Sequence, residues 1–176
     1  MATVILESAP FAEAIVKVSK EIFDDNKNCL KELAVIGMHT RGVFLAKRII
    51  AQLHKLGGKE LQIPFGSLDI TLYRDDIDDL GSDMPTIKET EIPFDINKKN
   101  IILVDDVLYT GRTIRAALDV LTSFGRPSFI KLAVLVDRGC RELPIEANYI
   151  GLKYPSKKKI KVCCKELDNI DQIVVI

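Results

Sequence analysis

Short apolar runs alternate along the chain with segments whose apolar residues recur every three to four positions. That pattern predicts strands alternating with helices, and so an α/β sheet in place of a sandwich or a bundle. Phe11, Ala14, Ile15, Val18 and Ile22 form one stripe of a first helix that Ser8 is placed to cap. Leu33–Gly37 reads as a buried strand, followed by the polar turn His39-Thr40-Arg41-Gly42. A second helix turns Val43, Leu45, Ala46, Ile49, Ile50 and Leu53 inward and stops at Gly57 and Gly58. Leu61–Phe65 and Leu68–Tyr73 read as two strands parted near Gly66, and Ile101–Val104 as a fully apolar one. A third helix begins near Arg112, buries Ile114, Ala117, Leu118 and Leu121, and ends at Gly125 and Pro127. Phe129–Val136 is another buried strand before the turn Asp137-Arg138-Gly139, and short strands near Tyr149, Val162 and Val174 complete the set. No repeat or linker interrupts, so one domain with a mainly parallel sheet is expected.

Composition adds exclusions. At 176 residues, 47% hydrophobic and 28% charged, the chain has the size and make-up of one folded domain. Lys+Arg and Asp+Glu both number 25, so no global basic field points to nucleic acid or an anionic membrane. No apolar run approaches the ~20 residues of a membrane span. Thr3–Leu6, followed at once by Glu7, is too short for a signal peptide, and a soluble cytoplasmic protein without a membrane partner is expected. Four cysteines without a CxxC pair predict reduced thiols and no metal finger, and adjacent Cys163 and Cys164 should face opposite sides of a strand.

The charge is unevenly spread. Asp69–Asp95 holds nine acidic residues against Arg74 and Lys88, a local net charge of −7. Residues 74–90 show no period and contain Gly81 and Pro85, which predicts a long loop, read either as a functional lid or as a solvated insertion. Lys153, Lys157, Lys158, Lys159, Lys161 and Lys165 form the opposite imbalance, read either as an RNA contact or as a solvated strand edge.

Ile101–Thr113, IILVDDVLYTGRT, carries the most chemistry. Ligands of open α/β sheets bind where strands end and helices begin. Asp105 and Asp106 stand at the strand's carboxyl end, and Thr110-Gly111-Arg112-Thr113 opens the helix. Gly111 permits close backbone approach, the first helical N–H groups form an anion site, and Thr110 and Thr113 add hydroxyl donors. Two carboxylates would repel an anion alone. They suit a phosphosugar, whose hydroxyls donate to carboxylates while the loop holds the phosphate. Neither GxxxxGK[ST] nor GxGxxG is present, so this is not a nucleoside-triphosphate or dinucleotide loop.

ILVDDVLYTGRT resembles the phosphoribosyl-pyrophosphate signature of the type I phosphoribosyltransferases. DITLYRDD (69–76), TRG (40–42), and LAVLVDRG followed by RELPI (132–145) narrow the resemblance to the pyrimidine-operon attenuator and uracil phosphoribosyltransferase family. The resemblance implies the type I phosphoribosyltransferase fold, a mainly parallel twisted sheet flanked by helices, with a small hood from peripheral strands and the C-terminal segment. It places Asp105 and Asp106 on the ribose hydroxyls. It implies that Val107, Leu108 and Tyr109 bind substrate together with the 5′-phosphate loop of Thr110, Gly111, Arg112 and Thr113. Thr40, Arg41 and Gly42 would cradle pyrophosphate, and Arg74 would close over it from the lid. Asp137 and Arg138 would line the base site, with Val162 helping to close it; pinning a strand end is their alternative role. Asp105, Asp106, Arg41 and Arg74 are thus the expected catalytic set. The implied reaction joins uracil to phosphoribosyl pyrophosphate, giving UMP and pyrophosphate, with Mg²⁺ held mainly by substrate oxygens. No general base or covalent nucleophile stands out.

The same resemblance implies a homodimer or higher homo-oligomer that binds pyrimidine-operon mRNA when UMP is bound and promotes transcription termination. Two features depart from the family pattern. Phe11–Lys27, the usual source of basic RNA contacts, has Lys17, Lys20 and Lys27 against Glu13, Glu21, Asp24 and Asp25, a net of −1, and Cys140 stands where the family carries histidine. Two other readings stay open: a phosphoribosyltransferase for another base, and a nucleotide-sensing RNA-binding regulator with little catalysis.

Overall fold

The computed structural model describes residues 2–58, 60–71 and 88–176. Five strands form a parallel sheet in the order β3-β2-β4-β5-β6, comprising β2 (Leu33–Met38), β3 (Phe65–Leu68), β4 (Asn100–Leu108), β5 (Phe129–Asp137) and β6 (Tyr149–Lys153). Every residue of β2 is buried, as expected of a strand covered on both faces. α1 (Ser8–Asp25) and α2 (Arg41–Gly57) cover one face, and α3 (Arg112–Phe124) the other. A second, antiparallel sheet, β1-β8-β7, joins β1 (Thr3–Leu6), β8 (Gln172–Val175) and β7 (Ile160–Cys163); the four-residue α4 (Lys165–Asp168) links β7 to β8. This is the hood. Its Ile160, Val162, Ile173 and Val175 share the core that α1 and α2 build.

The architecture is the expected α/β one, a mainly parallel sheet flanked by helices, with local differences from the periodicity. Ser8 does not cap α1. It is the first helical residue, Glu7 is the cap, and the Ser8 hydroxyl donates to the Asp171 carbonyl of the hood at 2.8 Å. In place of two strands parted near Gly66, the single strand Phe65–Leu68 runs through it; residues 61–64 are not strand, and Leu72 and Tyr73 lie outside the described residues. Ser67 exchanges both backbone bonds with Glu91, and a Cβ at Gly66 would lie 3.1 Å from the Glu91 carbonyl oxygen. Gly66 thus marks a close backbone approach inside a strand. β4 extends four residues past the apolar run, so both aspartates are strand residues. All four cysteines are unbridged, and burial pushes the Cys164 thiol up to about 12, which keeps it protonated and inert. Among the described residues no helix is long and apolar enough to cross a membrane.

Candidate active site

β2 leads through α2 to β3 on one side of the sheet, while β4 leads through α3 to β5 on the other. The strand order therefore reverses between β2 and β4, and the carboxyl ends of these neighbours frame the crevice where ligands of such sheets bind. After β2 come Thr40 and the first residues of α2, Arg41 and Gly42; the end of β4 carries Asp105 and Asp106, and residues 109–111 lead from it into Arg112 and Thr113 at the start of α3. A Cβ on Gly42 would lie 2.5 Å from the Val104 carbonyl oxygen, so only glycine lets α2 start against β4. That contact sets the two loops side by side. The His39–Thr40 peptide is cis.

The carboxylates differ. Asp105 is 8% exposed, and its Oδ1 accepts the Asp106 N–H at 2.8 Å. Burial pushes the Asp106 carboxyl above its ordinary range. The positive charge of Arg41, a hydrogen bond with Asp105 and nearby backbone N–H groups oppose that shift without cancelling it. Arg41 at the start of α2 and Asp106 in β4 thus sense each other electrostatically. Arg41 Nη2 also reaches both oxygens of Asp168 in the hood, at 3.1 and 3.2 Å. Asp168 further accepts the Cys164 N–H at 3.0 Å and faces Lys161 at 3.4 Å. Partial burial works to raise its carboxyl, but those partners hold it below the ordinary carboxylate range.

Residues 109–113 are braced from behind. The Tyr109 carbonyl accepts from Arg141 Nη1 at 2.8 Å, and the Thr110 carbonyl from the N–H groups of Glu142 and Leu143 at 3.0 and 3.1 Å. In a planar trans peptide the C=O and the following N–H point in opposite directions. Anchoring these two carbonyls therefore aims the Thr110 and Gly111 N–H groups the other way. Gly111 adopts φ +94° and caps α3, whose first N–H groups lack helical acceptors. The result is an anion-binding loop at a helix start. Val107 and Leu108 position this loop from the strand; Leu108 is buried in the core beneath α3, and its carbonyl accepts the Arg138 N–H at 2.9 Å.

Asp137 and Arg138 lie at the end of β5, beside that loop. Their side chains are engaged with the protein. Asp137 Oδ1 accepts from the Gly139 N–H at 2.8 Å and from Arg141 at 2.7 Å. The Arg138 guanidinium lies 3.8 Å from the Tyr109 ring centroid and donates to the Lys157 and Lys158 carbonyls. The Arg138 N–H and C=O are also taken, by Leu108 and Ser156. These contacts hold the turn in shape beside the phosphate loop. Val162 is 1% exposed in β7, within the core shared with the hood.

Arg74 and the expected lid lie outside the described residues except for 88–90. Asp69 joins the two sides of the chain here, accepting the Thr71 N–H at 2.7 Å and the Lys88 N–H. The motif reading did not single out Asp69, Asp168 or Arg141. Asp69 and Arg141 lie within the DITLYRDD and RELPI blocks, whereas Asp168 had no sequence signal beyond its charge.

The adjacent carboxylates of Asp105 and Asp106 are hard oxygen donors of the kind Mg²⁺ takes, in small number, alongside phosphate oxygens. Among the described residues no group of three or more His, Cys, Asp or Glu is arranged to hold a metal by itself. Lys17 of α1 donates to the Ile150 carbonyl at 2.9 Å, and Lys27 pairs with Asp24 at 2.8 Å. The lysines of the β6–β7 region and hood are exposed.

Residues 1–167 match the phosphoribosyl transferase domain family. The chain is 62% identical to the bifunctional protein PyrR of Endomicrobium trichonymphae, over 100% of this chain and 99% of that protein. It is 51% identical to the bifunctional protein PyrR of Deinococcus radiodurans over 95% of this chain and 90% of that one. In fold it is similar to the hypoxanthine phosphoribosyltransferase of Trypanosoma cruzi, with a TM-score of 0.76 at 17% identity, covering 98% of this chain and 94% of that one.

Proposed function

The chain belongs to the phosphoribosyl transferase domain family and, within it, to the bifunctional PyrR proteins; from that premise we propose that it is a uracil phosphoribosyltransferase that also regulates pyrimidine genes through mRNA, with the crevice between β2 and β4 as its active site. The observation that carries the site is the meeting of three features there. A braced anion loop, a strand-end carboxylate pair and an arginine from the neighbouring loop converge at the switch point of the sheet.

In the proposed reaction the 5′-phosphate sits on Thr110–Thr113, and the ribose hydroxyls donate to Asp105 and Asp106. Pyrophosphate leaves C1′ toward Thr40, Arg41 and Gly42 as N1 of uracil attacks the opposite face. The transition state has oxocarbenium character, so charge placement is the main catalytic task. Carboxylates on the ribose side favour the cationic sugar, and Arg41 favours the departing anion. Remote binding energy from the 5′-phosphate holds C1′ in line. Mg²⁺ would be carried by substrate oxygens with Asp105 and Asp106 alongside, neutralising pyrophosphate charge. Arg74 completes the set by closing from the lid, which would exclude water from a reactive cation.

The regulatory half of the reading favours the lysine-rich region of residues 153–165 as the RNA-facing surface over α1 and the turn after it, where Lys17 and Lys27 already have protein acceptors. Self-association into a dimer or larger assembly in the cytoplasm belongs to the same reading. The test is UMP formation from uracil and phosphoribosyl pyrophosphate, with and without Mg²⁺, against hypoxanthine, guanine and other bases. Mg²⁺-dependent UMP formation with little turnover of purines is expected. Turnover of another base in preference to uracil would overturn the substrate assignment.

A further inference from the structure

We propose that Arg141 is a positioning residue of the transferase reaction: its guanidinium fixes the phosphate loop and the base turn at the separation one nucleotide requires. The inference rests on the active-site reading above and assigns a role to a residue outside the crevice. Each of its three nitrogens is engaged. Nη1 donates to the Tyr109 carbonyl at 2.8 Å and the Gly139 carbonyl at 3.1 Å, Nη2 to Asp137 Oδ1 at 2.7 Å, and Nε to the Ile145 carbonyl at 2.8 Å. One rigid planar group thus joins the phosphate loop, the base turn and the segment that buttresses both.

Charge attraction does not account for this arrangement. The Asp137 carboxylate neutralises the guanidinium, so Arg141 adds little net field at the phosphate. Its effect is geometric. Holding the Tyr109 carbonyl aims the Thr110 N–H of the same peptide plane in the opposite direction, toward the anion site. Gripping Gly139 and Asp137 ties the base turn to that same plane. Arg138 adds a second hold on the same loop residue by covering the Tyr109 ring. The Gly111 N–H is oriented independently, because main-chain bonds from Glu142 and Leu143 anchor the Thr110 carbonyl. Removing Arg141 should therefore loosen the span between the two subsites more than it loosens the phosphate subsite itself.

The test compares wild type, Arg141→Gln and Arg141→Lys by calorimetric titration with UMP and with ribose 5-phosphate, beside steady-state kinetics and thermal melting. UMP affinity should fall about tenfold or more in both variants, within the usual range of coupling between sites. Ribose 5-phosphate should weaken by only about threefold, on the same scale of effects. kcat/KM for uracil should fall with UMP affinity. Equal weakening of both ligands would overturn the proposal, as would no weakening of either. Recovery by lysine, which keeps the charge and loses the planar fork, would overturn it too. A merely structural role would lower the melting temperature without changing the ratio of the two affinities. Should Arg141→Gln not fold, the lysine variant carries the comparison. Absence of UMP synthesis in wild type would instead remove the transferase reading, which the same assay reports separately.

Discussion

The loops after β2 and β4 end adjacent parallel strands and open helices on opposite faces of the sheet, yet they are held in place by different forces. Residues 109–113 are braced through their own carbonyls, by Arg141 and by the main chain of Glu142 and Leu143. The 39–42 loop is braced through a side chain, with Arg41 paired across to Asp168 in the hood. In the proposed reaction the 5′-phosphate stays on the product throughout, whereas pyrophosphate departs. The loop that keeps its ligand is preorganised by bonds the ligand does not disturb. The loop that releases its ligand is held by an ion pair that an incoming anion can compete for. Strand ends alike in topology thus become a permanent anchor and an exchangeable one.

Asp106 stands near the end of β4 and feels the charge of Arg41 from the neighbouring strand end, so replacing it should have the largest effect. Asp106→Asn keeps the shape and removes the charge that favours the cationic sugar; kcat should fall about a hundredfold or more, the scale seen when one preorganised electrostatic group is removed. Stability should move the other way. The folded-state carboxyl titrates above its ordinary range because of burial, so its ionised form disfavours the fold. The stability tied to protonated Asp106 is fully present below the unfolded pKa and is lost as pH rises through the folded one. Asparagine does not titrate. The melting temperature of the variant relative to wild type should therefore rise with pH across that interval. A difference independent of pH would show that Asp106 is not held at a raised pKa.

Arg41→Gln comes next and separates the loops. Phosphoribosyl pyrophosphate engages both, whereas UMP lacks the pyrophosphate. kcat/KM for phosphoribosyl pyrophosphate should fall about ten- to a hundredfold, the loss of one to two charge-assisted hydrogen bonds. UMP affinity should stay within about twofold, well under one such bond. Equal loss of both would mean that Arg41 supports the whole crevice, and the distinction between the two anchors would fail.

The anchors were unequally legible in the sequence. The carboxylate pair and the TGRT helix start can be read because their chemistry is local: a strand, two acids, a glycine and hydroxyls within thirteen positions. Their bracing cannot. Arg141 binds mainly main-chain carbonyls, which have no residue signature, and Arg41 meets Asp168 from 127 positions away. α1, α2 and α3 were well marked by their apolar stripes because each buries one face, whereas the four-residue α4 buries none and carries no stripe. The hood was harder to read. β1 and β7 are four-residue strands, and β1 finds its partner, β8, only when the chain ends meet. The false break at Gly66 shows the converse. A glycine there signals a tertiary approach by Glu91, and local pattern alone reads it as a turn.

The smallest expected effect sharpens the comparison most. Arg112 and Glu142 form an ion pair on the phosphate loop at 2.6 Å, but their side chains are 53% and 51% exposed. Exposed pairs contribute about 0–1 kcal/mol, because solvent screens them and two long side chains must be ordered. The two bonds that Glu142 and Leu143 make to the Thr110 carbonyl come from main-chain N–H groups, which a side-chain substitution leaves in place. Glu142→Gln should therefore shift stability by less than about 0.5 kcal/mol, the range of ordinary surface changes. UMP affinity should move less than about twofold, and no more in low salt than in high, because the screened pair is not what holds the loop. A loss several times larger, growing as salt is lowered, would show that the phosphate loop too is held by charge. The two strand ends would then be anchored in the same way.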